Sequence, residues 1–183
     1  MNKEWRYSIY DVTATGELLI DFTRNGLSEQ NNRIYEANPG GAPCNVLAML
    51  GKVGEDEFGK LLKNTITEQK IDASGLILDP NAKTTPAFVD NDETGDRSFS
   101  FYRKPGADIM LREDEVNYEL IDDCRIFHFG SLSMTDEPVR SATYAMIDYT
   151  KKKNKIISFD PNLRPPLWES EELAAKQIWY GIE

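Results

Sequence analysis

Short apolar runs rich in β-branched and aromatic residues alternate along this chain with longer stretches of helical periodicity, and that alternation restricts the fold more than any single residue does. The runs at 7–12, 18–22, 76–78, 125–129 and 156–159 read as strands; the stretches at 43–50, 57–69, 113–121, 138–153 and 171–180 read as helices. Strands separated by helices of this length form βαβ units, so a mostly parallel sheet covered on both faces is expected. A chain of 183 residues is ample for one packed core of that kind.

Two segments, 23–36 and 84–103, break the rhythm because they are polar with alternating apolar positions. Ala87, Val89, Phe99 and Phe101 alternate as antiparallel strands with one covered face do, and residues 91–96 supply turn chemistry between them. A small sheet projecting from the main one is the economical reading. A third irregularity lies at Leu50 and Gly51. The helix expected over 43–50 is followed by another helix after residues 51–55 alone, so a strand is missing and a gap or deletion is expected there.

The residues able to do chemistry sit at the ends of these elements. Asn38, Pro39, Gly40, Gly41, Ala42, Pro43, Cys44 and Asn45 precede an apolar run; the two glycines let bare backbone N–H groups approach a ligand, and Asn45 can both donate and accept, as a polyhydroxylated ligand requires. The same stretch reads equally well as a plain loop capping a helix. Asp21 follows an apolar run and can accept from two vicinal hydroxyls, or it is an ordinary turn aspartate. Arg103 follows Phe99 and Phe101, so the aromatics could cover a ring while the guanidinium binds an oxygen; a solvated arginine beside packed aromatics is the alternative. Asp160, Asn162 and Arg164 come just after the strand at 156–159, at the carboxyl end where open parallel sheets place ligands, and Arg164 there suits phosphate oxygens. A structural turn is the other account of those three. His128, flanked by Phe127 and Phe129, reads as a core residue.

Charge narrows the partners. The formal net charge of −10 argues against nucleic acid and anionic membrane, which would be repelled, and the basic run at 151–155 suits the end of a helix. Cys44 and Cys124 form neither a disulfide framework nor a metal spacing, so no metal site is expected. Residues 1–10 lack a signal-peptide core and no stretch approaches the ~20 apolar residues of a bilayer span, so a soluble, cytoplasmic protein is expected.

Taken in order, Gly16-Glu17-Leu18-Leu19-Ile20-Asp21, the Gly40-Gly41 stretch, Gly51-Lys52-Val53-Gly54-Glu55-Asp56-Glu57-Phe58-Gly59, Phe99 through Asp108 and Phe159-Asp160-Pro161-Asn162-Leu163-Arg164 resemble the PfkB (ribokinase-like) carbohydrate kinases, most closely the fructokinases among them. The resemblance implies a three-layer α/β/α sandwich with a small β-sheet lid at about 23–36 and 84–103, the lid often pairing with that of another subunit in a homodimer. It implies ATP and Mg2+ as cofactors and a sugar as substrate: fructose, with 2-keto-3-deoxygluconate and aminoimidazole riboside as the rivals. It places Asp21, Gly40, Gly41, Asn45, Phe101 and Arg103 on the sugar, turns Arg164 toward the phosphate, and has Asp160 and Asn162 shape its loop. Family members carry about a dozen more residues at Leu50–Gly51, a Gly-Ala-Gly-Asp catalytic base and an Asn-x-x-Glu magnesium motif, none of which occurs within 1–183. Residues 1–183 are therefore expected to form the N-terminal, sugar-binding portion of one domain, without the nucleotide-binding portion; a sugar-binding regulatory protein is the reading from another class. Accordingly, the 183-residue chain incubated with fructose, ATP and magnesium should show no turnover in a coupled assay above a control without protein.

Overall fold

The computed structural model describes residues 9–42, 48–91 and 97–183. In chain order the elements are β1 (Tyr10–Thr15), β2 (Leu19–Leu27), β3 (Arg33–Gly40), β4 (Ala48–Gly54), α1 (Glu57–Glu68), β5 (Asp72–Asp79), β6 (Pro86–Asn91), β7 (Arg97–Phe101), α2 (Glu119–Asp122), β8 (Cys124–Gly130), α3 (Val139–Lys152), β9 (Ile156–Asp160) and α4 (Glu171–Ile182). Five strands form a wholly parallel sheet in the order β5-β4-β1-β8-β9. The other four form a second, mixed sheet in the order β3-β2-β6-β7.

Two apolar cores lie on opposite faces of the parallel sheet. Alternation along β4 sends Ala48 and Leu50 into one and Met49 and Val53 into the other. The first core gathers Leu120 and Ile121 of α2, Val139, Ala142, Met146 and Ile147 of α3, and Ala174 of α4 against Phe127 and Phe129. The second holds Leu62 and Ile66, one turn apart on α1. Helices on both faces make the three-layer α/β/α arrangement that the sequence predicts. Lys151 and Lys152 close the last turn of α3, where the helix dipole favours cations.

The strand missing from the sequence reading is present. Residues 48–50, expected to end a helix, open β4, which runs through Gly51 without a break: Leu50 pairs with Gly75, Gly51 with Leu76 and Lys52 with Ile77. All seven β4 residues are buried. An apolar run this short fits a helix or a buried strand equally well, and the position between β1 and β5 decides for the strand. Residues 43–47 of the expected helix lie outside the described residues. Two further expectations change. The run at 18–22 belongs to the second sheet rather than the parallel one, and the helix over 113–121 reduces to a 3-10 turn at Glu113–Glu115 followed by the single turn of α2.

The second sheet realises the projecting lid. β2 pairs antiparallel with β3 and parallel with β6, and β6 pairs antiparallel with β7. Ala87 lies opposite Phe101 and Val89 opposite Phe99, so the four alternating positions share one face; the expected turn at 92–96 lies outside the described residues. On the other face Phe22 stacks on Phe88 with centroids 5.1 Å apart, and Tyr35 and Tyr102 meet Phe88 edge-on. Phe58 of α1 meets Phe22 edge-on at 5.4 Å, which joins the lid to the layered body.

Asp56 ties the same junction from below. Its carboxylate accepts the Gly59 N–H at 2.9 Å as the N-cap of α1, and also the Thr84 N–H at 3.0 Å and hydroxyl at 2.8 Å just before β6. Burial works against the charge, but the Thr84 and Gly59 hydrogen bonds outweigh it and hold the carboxyl below its ordinary value. Replacing Asp56 by Ala removes the cap and orphans Thr84, so urea unfolding should show a loss of about 1–2 kcal/mol at neutral pH. Because the folded pKa is depressed, that difference should be present in full above the unfolded value of about 3.9 and vanish as the pH falls through the lower folded value.

Candidate active-site cleft

Lid and body enclose an open cleft with a volume of about 380 Å³. The lid wall is a product of register. On β2 Asp21 and Thr23 point the same way; Asp21 pairs with Ala87 and Thr23 with Val89, and those pair in turn with Phe101 and Phe99. One continuous row across three strands therefore puts a carboxylate, a hydroxyl and two aromatic rings on the cleft. Asp21 sits inside β2 rather than at the exit of a strand of the main sheet, a correction to the sequence reading. Burial pushes its pKa up.

Two glycines make this wall possible. A Cβ on Gly40 would lie 2.3 Å from an Asp21 carboxylate oxygen, so only glycine leaves that carboxylate its place. Gly41 has φ +114°, and a Cβ there would lie 2.2 Å from the Glu17 carbonyl oxygen. Gly41 lines the cleft, Gly40 backs it, and Asn45 lies outside the described residues.

Glu17 is the residue that sequence reasoning passed over. It was legible only as part of a motif, yet its side chain lines the cleft at 6% exposure and accepts the Ala42 N–H at 3.2 Å. Burial pushes its pKa up, against hydrogen bonds from backbone N–H groups and the positive charge of Arg103. The adjacent apolar run Leu18–Ile20 gives no local signal of this, because the enclosure is made by residues distant in sequence.

The facing wall comes from the carboxyl ends of β8 and β9; the sequence predicts the second of these. Leu132, Asn162 and Arg164 line it, and Arg164 is the sole cation among the described lining residues. The Arg164 guanidinium stands 5.8 Å from the centroid of Phe99 across the cleft. Asn162 is held through its backbone carbonyl, which accepts the Ser131 hydroxyl at 3.0 Å. Asp160 ends β9 opposite Gly130 and stands behind the lining, where its charge acts on His128. His128 is half-buried against the Ser158 hydroxyl at 3.0 Å, and burial pushes its pKa down.

Arg103 is the principal correction. It does not line the cleft; it is 5% exposed, and each of its three nitrogens donates to the protein. Nε donates to Asp108 at 2.6 Å, Nη1 to the Thr135 hydroxyl at 2.9 Å and Nη2 to the Leu132 carbonyl at 2.9 Å. A guanidinium this deep must be paired where it sits, which directs its donors away from the cavity. Phe101, expected beside it, does reach the cleft.

Comparison with known proteins agrees with this geometry. Residues 10–181 match the profile of the pfkB family carbohydrate kinases. The Arabidopsis thaliana protein named "Probable fructokinase-2" is 43% identical over 179 residues, which cover 91% of this chain and 54% of that protein. The fructokinase of Xylella fastidiosa with bound ATP superposes with a TM-score of 0.86 at 33% identity, covering 95% of this chain and 59% of that one. The fructokinase of Vibrio cholerae O395 in its fructose-, ADP- and calcium-bound form gives 0.81 at 32% identity, covering 96% and 58%. The chain spans about half the length of the curated relatives it matches. With the family profile matched over residues 10–181 and the fold superposing on the Xylella fastidiosa enzyme, this chain belongs to the pfkB family of carbohydrate kinases.

Proposed function

We propose that this chain is the N-terminal, sugar-binding portion of one ribokinase-like domain in an ATP-dependent fructokinase, which converts fructose to fructose 6-phosphate. The observation that carries the reading is the facing pair of walls, with Asp21, Thr23 and Phe101 on the lid and Arg164 on the body. Fructose offers adjacent hydroxyls to a carboxylate and an apolar ring face to an aromatic, while a phosphoryl group in transit offers negative charge to a cation. The names of the relatives and the fructose and ADP in the Vibrio cholerae structure support fructose over the rival sugars.

In this reading Asp21 accepts from two sugar hydroxyls and fixes the ring. Phe99 and Phe101 cover it and exclude water, which strengthens every polar contact beneath. Arg164, stiffened by Pro165 and Pro166, faces the transferring phosphoryl, with Asp160 and Asn162 shaping its loop. Gly41 and Asn45 supply the remaining sugar contacts, and Gly40 leaves the Asp21 carboxylate its place. ATP is the phosphoryl donor, and the ATP bound to the Xylella fastidiosa enzyme supports it. Magnesium is the ion the resemblance implies, but among the described residues no group of three or more His, Cys, Asp or Glu converges to hold it, so no step is routed through it. No helix among the described residues is long and apolar enough to cross a membrane, and the net charge of −10 disfavours nucleic acid; a cytoplasmic enzyme that pairs through its lid completes the proposal.

Titration calorimetry of the 183-residue chain tests it. D-fructose should bind more tightly than 2-keto-3-deoxygluconate or aminoimidazole riboside. Asp21→Ala should weaken fructose by about ten- to hundredfold, the effect of about 1.5–3 kcal/mol for a hydrogen bond to a charged group. Fructose binding that survives Asp21→Ala unchanged would show that the sugar does not sit on this wall.

A further inference from the structure

The buried ion pair at the base of the lid has no part in the reading above, although it ties together the segment that enters β6 and the one that leaves β7. Asp108 accepts Arg103 Nε at 2.6 Å and the Thr85 hydroxyl at 2.5 Å. Thr85 immediately precedes β6 and Arg103 follows β7, so one carboxylate holds the strand entering the lid and the strand leaving it. The Ile20 N–H of β2 donates to the Thr85 carbonyl at 3.0 Å, which attaches a third lid strand at the same point. Arg103 then reaches across to the body, to the Thr135 hydroxyl and the Leu132 carbonyl, and Thr135 itself donates to that carbonyl at 3.0 Å.

The body side of this contact is the floor of the cleft. Leu132 lines it directly, and its neighbour Ser131 donates to the carbonyl of Asn162, two residues before Arg164. Arg140 fixes the far end of the same turn through the Met134 carbonyl at 2.8 Å and the Thr135 carbonyl at 2.5 Å. Hydrogen bonds, joined through the covalent step from Leu132 to Ser131, therefore connect the lid base, by way of Asp108 and Arg103, to the loop carrying Arg164.

We propose that Arg103 is a positioning residue, a clamp that fixes the lid wall bearing Asp21 and Phe101 at its working distance from the body wall bearing Leu132, Asn162 and Arg164. It does so without touching the sugar. A planar fork that bonds three partners in fixed directions sets an orientation as well as a distance, which a lysine at this place would not do. The inference rests on the cleft being the sugar site, and the two are separable because wall spacing is measurable with no sugar present.

The test uses the 183-residue chain with Cys44→Ala and Cys124→Ala, spin-labelled on the exposed lid residue Ser100 and on the exposed helix residue Lys152. Removing Arg103 alone strands a buried Asp108 and invites unfolding, so the working variants are Thr135→Val and the paired replacement Arg103→Met with Asp108→Leu. Both should broaden the distance distribution between labels. Thr135→Val, which removes the hydrogen bonds of that hydroxyl to Arg103 and to the Leu132 carbonyl, should also weaken D-fructose by about fivefold or more, while circular dichroism at the assay temperature still shows the folded chain. Thr135→Ser, which keeps the hydroxyl, should restore both readouts. Label distances identical to wild type in both variants would overturn the clamp, and so would broadened distances with undiminished fructose affinity. Absence of fructose binding in the wild-type chain would instead overturn the sugar-site reading, and the label distances would still judge the clamp.

Discussion

Everything in this structure is arranged around β4, the strand that fills the sheet between β1 and β5. Its backbone hydrogen bonds to both neighbours, and its side chains divide the molecule into two cores, with Met49 and Val53 toward α1 and Ala48 and Leu50 toward α2, α3 and α4. An empty position there would leave two unpaired strand edges in the middle of the body and strip both cores of their centre. That requirement is strong enough to draw residues 48–50 into the sheet, whatever helical preference the preceding run has. It also carries a charge inward. Lys52 is 2% exposed, and its ammonium meets Asp79 at 3.2 Å and Glu115 at 2.6 Å. The pair of carboxylates neutralises what would otherwise be an unaffordable buried cation, and it fastens the loop around Glu115 to the sheet.

The cleft inherits its order from the same backbone logic. Parallel strands deliver their carboxyl ends to one edge of a sheet, so Leu132, after β8, and Arg164, after β9, arrive at the same side of the body. The lid reaches over that side because β2, the strand after β1, leaves the parallel sheet and pairs with β3 and β6. A shift of one residue in the β2–β6 register would turn Asp21 outward and put Phe22, now packed on Phe88 and Phe58, into the cavity. The aromatic layer on the outer face of the lid thus specifies the polar row on its inner face.

Much of this was legible in the sequence because it rests on periodicity. The alternation of strand and helix gave the layered body, and Ala87, Val89, Phe99 and Phe101 gave the lid face. Asp21, Phe101, Asn162 and Arg164 all reached the cleft. What could not be read depended on tertiary competition. Ala48-Met49-Leu50 is as good a helix segment as a strand, and only the vacancy beside β1 resolves it. Arg103 looked like a ligand because arginine beside aromatics suits an anion; of its true partners only Asp108 lies in neighbouring sequence, while Thr135 and Leu132 are brought to it by the turn after β8. Glu17 was hidden for the converse reason: nothing local announces that a carboxylate next to Leu18 ends up enclosed.

Glu17 and Asp21 then set the energetic character of the site. Burial raises the pKa of both. A carboxyl whose folded pKa lies above its unfolded value favours the fold at low pH, and that contribution is lost as the pH rises through the folded value. Wherever they are ionised the two groups therefore act against stability, unlike Asp56, whose hydrogen bonds make its charge stabilising. A fold keeps such groups only where something else rewards them, and a hydroxyl-rich ligand is suited to that, because it supplies Asp21 with donors that none of the described residues provides. The rigid parts of the surroundings serve the same end. Gly40 leaves the Asp21 carboxylate uncovered, the Ala42 N–H holds Glu17 in place, and the lid is fastened to the body at Asp108, so the donors a ligand brings meet acceptors that need not rearrange to receive them.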